Sequence, residues 1–323
     1  MLTVLYLTMD SGGTLYVLDR YEPFVRLFDH QGGILRAFGE AGQGPGELGV
    51  DVQVEYLPGI AIYPRSDGSI LVHEAIPPTL TVFNANGEFI EELRLEGPIM
   101  VPRGTAAGAS VARLFMLSFS PGEASRVDRF DLAGRASADA KTVLLLPDAF
   151  PPAEGEPPWP ATPLSMAPTP NGGFALADPW RYIIRLFGPE GDLEKQIERD
   201  VERPPKSAAA LQEQRQILHQ RAARSGDEAE EPHPEASHFP RGALDFDDAG
   251  RLWVATNRGA EGETLFDLFT PAGTYLGEVA LPAKMEAGVG TLRAYAVAGE
   301  HLAAVVVEDS GNHRIGVWHV VWP

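Results

Sequence analysis

A unit of one design returns about six times along this chain, at a spacing of about 40 to 50 residues, and that repeat restricts the fold more than any other feature. Its clearest copy opens on a glycine and an apolar strand, Gly13-Thr14-Leu15-Tyr16-Val17-Leu18-Asp19. A second strand ending in an aromatic follows, Phe24-Val25-Arg26-Leu27-Phe28, then Gly32-Gly33 and the strand Ile34-Leu35-Arg36-Ala37-Phe38. The second copy runs from Asp67-Gly68-Ser69-Ile70-Leu71-Val72 through Leu80-Thr81-Val82-Phe83 to Phe89-Ile90. The fourth carries Gly172-Gly173-Phe174-Ala175-Leu176 and Ile183-Ile184-Arg185-Leu186-Phe187, the fifth Gly250-Arg251-Leu252-Trp253-Val254 and Leu265-Phe266-Asp267-Leu268-Phe269. A weaker third copy lies at Arg113-Leu114-Phe115-Met116-Leu117, and the sixth runs through His301-Leu302-Ala303-Ala304-Val305.

Alternating apolar positions bury one face of a strand, and glycine supplies the positive φ that tight strand connections need. With an inner strand added in front, each unit makes a small twisted antiparallel sheet that cannot bury both faces alone. Packing about six such sheets radially solves that problem and leaves only short edges. The expected fold class is therefore all-β: a six-bladed β-propeller of four-stranded antiparallel blades, one domain over residues 1–323. The 34 Gly, 28 Pro and 44% hydrophobic residues agree with many short elements around a substantial core.

The segment Asp309-Ser310-Gly311-Asn312-His313-Arg314-Ile315 resembles the signature of the NHL repeat. Gly13 to Leu48, ending in Gly42-Gln43-Gly44-Pro45-Gly46-Glu47-Leu48, is similar to the bacterial six-bladed propellers related to NHL proteins. That resemblance implies the same fold. Some such relatives are lactonases or lyases that hold calcium or zinc in the channel, but no matching set of Glu, Asn, Asp or His stands at the inner-strand starts here. Relatives of this appearance are often exported or membrane-anchored. The chain as written carries no export signal, so its location is unknown, and extracytoplasmic if Met1 is not the true start.

Two segments break the rhythm. Pro147 to Pro163 is proline-rich and reads as a stiff extended loop. From about 204 to 238, between the fourth and fifth blades, Ser207 to Arg224 lacks Gly and Pro and reads as a helix. Leu211, Ile217, Leu218 and Ala222 fall on one broad face, so the helix is expected to lie on the propeller, as a cover or as a lid. The last unit offers three strands, so the closing blade either lacks its outer strand or borrows Leu2 to Leu7.

The charged residues carry little chemistry by themselves. Asp19, Asp178 and Asp309 recur at one place in the repeat, and Asp29 and Asp131 sit at turns, which assigns them to architecture. His313 belongs to the repeat signature, and His233 and His238 flank an acidic loop without a metal-ligand spacing. Gly42 to Glu47 lacks the Lys and Ser/Thr of a phosphate loop. The net charge of −19 argues against nucleic acid, and the absence of Cys excludes thiolate chemistry. Pro102-Arg103-Gly104 and Pro240-Arg241-Gly242 each precede an inner strand, and Arg293 lies in the comparable part of the last unit. Arg103, Arg241 and Arg293 are thus the candidate ligand-binding residues, converging on one channel mouth to grip a carboxylate or phosphate. The function expected is a non-enzymatic binding or scaffold propeller for a protein, a peptide or a small anionic ligand, with no catalytic residue and no cofactor. The alternative is a lactonase-like, metal-assisted hydrolase or lyase using calcium or zinc in the channel.

Overall fold

The computed structural model describes residues 2–42, 44–49, 60–65, 67–75, 78–96, 105–107, 113–118, 125–132, 137–150, 165–178, 180–226, 231–260, 262–285, 293–307 and 312–321. Six antiparallel sheets form the ring of a β-propeller. The first is Val4–Met9, Leu15–Asp19, Val25–Phe28 and Ile34–Phe38, and the second Ala61–Pro64, Ile70–Ala75, Pro78–Phe83 and Phe89–Glu96. The third is Thr105–Ala107, Arg113–Ser118, Arg126–Asp131 and Lys141–Leu145, and the fourth Ser165–Pro168, Phe174–Asp178, Ile183–Phe187 and Leu193–Glu198. Leu244–Phe246, Leu252–Thr256, Thr264–Phe269 and Tyr275–Leu281 make the fifth, and Tyr295–Ala298, His301–Val307 and His313–His319 the sixth.

Burial falls outward along each blade. Every residue of the two inner strands of the first blade is buried, whereas its outer strand alternates between exposed and half-buried. The apolar clusters straddle blade boundaries: Phe115 and Phe174 join blades three and four, and Val4 and Leu7 pack with Ala303 and Val305 across blades one and six. Because each sheet buries its faces only against its neighbours, the ring is the smallest unit that removes this apolar surface from water.

Two kinds of connection divide the molecule into unlike faces. On the lower face, tight turns open at Asp10, Asp29, Arg65, Asn84, Thr169, Gly188, Asp247 and Thr270, all closed by the same two backbone hydrogen bonds. The glycine three residues on donates to the opening carbonyl, and the opening N–H donates to the carbonyl four residues on, a hairpin turn with a glycine bulge. Asp29 adds its own carboxylate, which accepts from the N–H groups of Gln31 and Gly33 at 2.9 and 2.7 Å. The upper face carries the irregular connections, including the described part of 199–243.

Closure joins the chain ends. Leu2 bridges His313, whose Nδ1 accepts from Val4 N at 3.0 Å, and Leu7 N donates to Arg293 O at 3.1 Å. His313 therefore bonds between blades. Val4–Met9 remains the inner strand of the first blade, so the sixth sheet has three strands among the described residues. Ser137–Asp139 adds an unexpected fifth strand, parallel to Phe89–Glu96 of the second blade. It comes from the connection between the third and fourth strands of blade three, which is longer in sequence than the corresponding turns of blades one, two, four and five.

The inserted helix is Ala208–Ser225, capped by Ser207, whose Oγ accepts from Ala210 N, and ended by Gly226 in the left-handed region. It does not lie on the propeller as its apolar positions suggested. Leu211, Ile217, Leu218 and Ala222 are half-buried and join none of the apolar clusters of the blades. The helix is tied instead to the segment that returns from it, through Arg215 and Glu231 at 3.1 Å and through Lys206, which bonds Gln214 and His233 O. The stretch 151–164 and the signature residues Asp309, Ser310 and Gly311 lie outside the described residues.

One lower turn is also an inter-blade contact. A Cβ on Gly191 would sit 2.0 Å from Val143 O of the third blade, whereas Gly32, at a similar φ of +85°, has open space. Gly32→Ala should therefore cost about 1 kcal/mol through backbone strain, and Gly191→Ala at least about 2 kcal/mol, in urea unfolding. Equal costs would show that blades three and four do not meet there.

Candidate functional site

The longest upper connection leaves the outer strand of blade four at Arg199 and returns to blade five at Ala243, opening a cleft of about 910 Å³. Trp180, Tyr182, Arg199, Arg203, Glu235 and His238 are among its walls. Trp180 and Tyr182 come from the loop between the second and third strands of blade four, so blade geometry brings three separate segments together.

Beneath the cleft lies Asp267, in the middle of the third strand of blade five and without solvent exposure. Arg258 Nη2 reaches its two oxygens at 2.6 and 2.7 Å, and Arg199 Nη1 lies 2.7 Å from Oδ2. Tyr182 donates its hydroxyl to Oδ2, and the Tyr275 hydroxyl is 3.4 Å from Oδ1. Arg199 also stacks over the Tyr275 ring at 3.9 Å. Burial and the charge of Asp267 push the Tyr182 hydroxyl far above its ordinary range, so it stays a donor. For Arg258, burial works against the charged form, but Asp267 and Glu278 outweigh it and hold the guanidinium above its ordinary value. Two cations and two phenols from blades four and five thus compensate one buried charge.

Above this knot, Arg203 Nη2 pairs with Glu235 at 2.5 Å and its guanidinium lies 5.1 Å from the Trp180 ring centre. His233 contacts the same ring edge-on, and Lys206 N bonds Pro234 O, so the base of the insertion forms one wall. His238 packs against Tyr182 and Phe239, is 4% exposed, and has no partner for Nδ1. Burial, with Arg203 and Arg258 adding to it, lowers its pKa to about 4, so the ring is neutral at pH 7.

The channel is a smaller space. A cavity of about 340 Å³ opens where the inner strands end, lined by Tyr6, Tyr63, Thr169, Asp245, Asp247 and Arg293. Arg293 projects into it, but its Nη2 is 2.5 Å from Asp245 and its Nε donates to Tyr295 O at 3.2 Å. Burial raises the pKa of Asp245 despite the pull of Arg293. The pair links blades five and six, and Arg293 reaches blade one over the Tyr6 ring. Arg241 is half-buried before the inner strand of blade five, at the opposite end of the channel from this cavity, and Arg103 lies outside the described residues. Of the two described arginines, Arg293 faces the channel and already holds a carboxylate, and Arg241 is not among the residues lining the cavity. Among the described residues, no group of three or more His, Asp or Glu is gathered to hold a metal ion.

No family model matches the chain, and no curated protein matches it. Solved structures are similar to it in fold. A member of the DUF4221 family from Bacteroides vulgatus aligns over 99% of this chain and 94% of its own, with 11% identity and a TM-score of 0.60. A candidate exported protein from Bacteroides fragilis aligns over 95% and 80%, with 12% identity and a TM-score of 0.54. A virginiamycin B lyase from Staphylococcus aureus aligns over 99% and 85%, with 12% identity and a TM-score of 0.48. What these proteins share with the chain is the β-propeller fold.

Asp267, Arg199, Arg258 and Tyr182 do not stand out in the sequence as a site. The available signal is a carboxylate inside an apolar run, Leu265-Phe266-Asp267-Leu268-Phe269, where burial demands a partner. His238 supplies the pH test of the cleft. An unfolded imidazole takes up a proton near pH 6.5 and the folded one only near 4, so its contribution is complete above pH 6.5 and lost as pH falls toward 4. Unfolding free energies from urea titrations at pH 7, 5 and 4 should fall more steeply for the parent than for His238→Gln, by on the order of 2 kcal/mol. Parallel slopes would mean that His238 is not held neutral.

Proposed function

We propose that this chain is a non-enzymatic, NHL-like binding propeller whose recognition site is the upper cleft between blades four and five. The observation that carries this reading is the unlikeness of the two faces. The lower face carries turns of one design around the small channel mouth, where Arg293 already holds Asp245, whereas the upper face presents the larger cleft with its aromatic, guanidinium and carboxylate walls. The Asp267 knot supports the reading too, because it fixes Tyr182 and Arg199 as a rigid floor and so lowers the ordering cost of binding. No helix of the described residues is long and apolar enough to cross a membrane. The exported description of the Bacteroides fragilis protein is what supports an extracytoplasmic binding role.

A random-peptide library displayed on phage and selected on the purified protein tests the site. Enriched peptides should lose at least about tenfold in affinity to Trp180→Ala, a truncation at the half-buried aromatic of the cleft wall, and keep it with Gln31→Trp on the lower face. Peptides that respond to Gln31→Trp and ignore Trp180→Ala would contradict the assignment.

A further inference from the structure

The charges of the cleft are not equivalent, because some are already used. Arg181 Nη2 holds Asp178 at 2.6 Å, Arg199 holds Asp267 at 2.7 Å, and Arg203 holds Glu235 at 2.5 Å. Every arginine of the cleft wall is therefore neutralised by a carboxylate of the chain itself. Asp200 and Glu202, by contrast, line the same cleft, are exposed, and have no side-chain hydrogen bond or ion pair among the described residues. An anion entering here would have to displace a carboxylate from a guanidinium, while a cation would find acceptors unoccupied.

Two further observations point the same way. His238 lines the cleft with Nδ1 unpartnered and shielded from solvent; in the Nε2–H tautomer a small rotation of the ring would present that lone pair to an N–H donor in the cleft. The chain's own Arg203 already lies on the Trp180 ring with its charge on Glu235, an internal example of a guanidinium held between an aromatic face and a carboxylate. We infer that this cleft, taken as the binding site proposed above, receives the arginine side chain of a partner peptide, with Asp200 and Glu202 as its carboxylate acceptors, His238 as a neutral one and Trp180 as the stacking surface. The volume of about 910 Å³ exceeds what one guanidinium fills, leaving room for flanking peptide backbone. A net charge of −19 steers a basic segment toward the protein.

The probes are three acetylated and amidated pentapeptides, Gly-Ser-X-Ser-Gly, with arginine, citrulline or glutamate at X, titrated while backbone amide NMR shifts are recorded. The arginine peptide should shift amides at 180–183 and 198–203 and bind at least about tenfold tighter than the citrulline peptide, which keeps the shape and loses the charge. Asp200→Asn with Glu202→Gln should weaken it about tenfold while leaving the urea midpoint unchanged. Binding of the citrulline or glutamate peptide as tightly as the arginine peptide, with shifts still in the cleft, would overturn the cation assignment and leave the cleft as the site. Shifts confined to the lower turns, or none at any residue with all three peptides, would overturn the cleft assignment as well.

Discussion

Asp267 occupies a position where a carboxylate survives only if other parts of the chain come to it. It lies between Phe266 and Leu268 with no exposure, and the desolvation of an ion there is of several kcal/mol before compensation. Arg258 comes from the same blade, but Arg199 and Tyr182 belong to blade four, so charge compensation also sets the distance between two blades. The cleft above them follows from that spacing. Arg199 N donates to Tyr182 O at 3.1 Å and Asn257 N to His238 O at 2.9 Å, which fixes the segments on both sides of the knot.

Elsewhere the ring is held by less specific forces. Blades one and six meet through aliphatic packing, bridges of Leu2 with His313 and of Tyr6 with Arg293, and the Arg293 guanidinium over the Tyr6 ring. This arrangement separates two tasks. The channel polar groups are engaged in closing the ring, and the upper connections between blades four and five are left to present side chains outward. The inserted helix contributes the base of the cleft, since the residues that bond it, Lys206 and His233, lie next to Arg203 and Trp180.

Much of the scaffold is legible in the sequence because it is written in local chemistry. Turns such as Asp29 to Gly33 and Asp247 to Arg251 need only a short polar residue and a glycine three places along, and they recur twice in each of blades one, two, four and five. Ser207 and Gly226 mark the helix for the same reason. Its docking was not legible, because half-buried Leu211 and Ile217 are too sparse among Gln, Arg and Glu to commit it to the blades. The site was legible only in outline. Arg26, Thr81, Asp128, Arg185 and Asp267 all stand opposite the middle of the second strand of their blades, at Val17, Val72, Met116, Leu176 and Val254. A polar residue at that place is thus a property of the repeat. Which of them gathers partners from the next blade depends on Arg199, far away in sequence and adjacent only once the ring has closed.

The most direct measurement is amide hydrogen exchange on Asp267→Asn, which keeps the shape of the side chain and removes its charge. Two half-buried guanidiniums would lose the carboxylate they share, with Arg258 keeping Glu278, so the cost falls below the roughly 3–5 kcal/mol of breaking a fully buried pair. If Asp267 holds the cleft together, protection of the Arg199 and Asn257 amides falls by at least about tenfold while the lower-turn amides of blade one, such as Asp29, keep theirs. Unchanged protection at Arg199 and Asn257, or an equal loss at Asp29, would contradict the claim that this carboxylate builds the site.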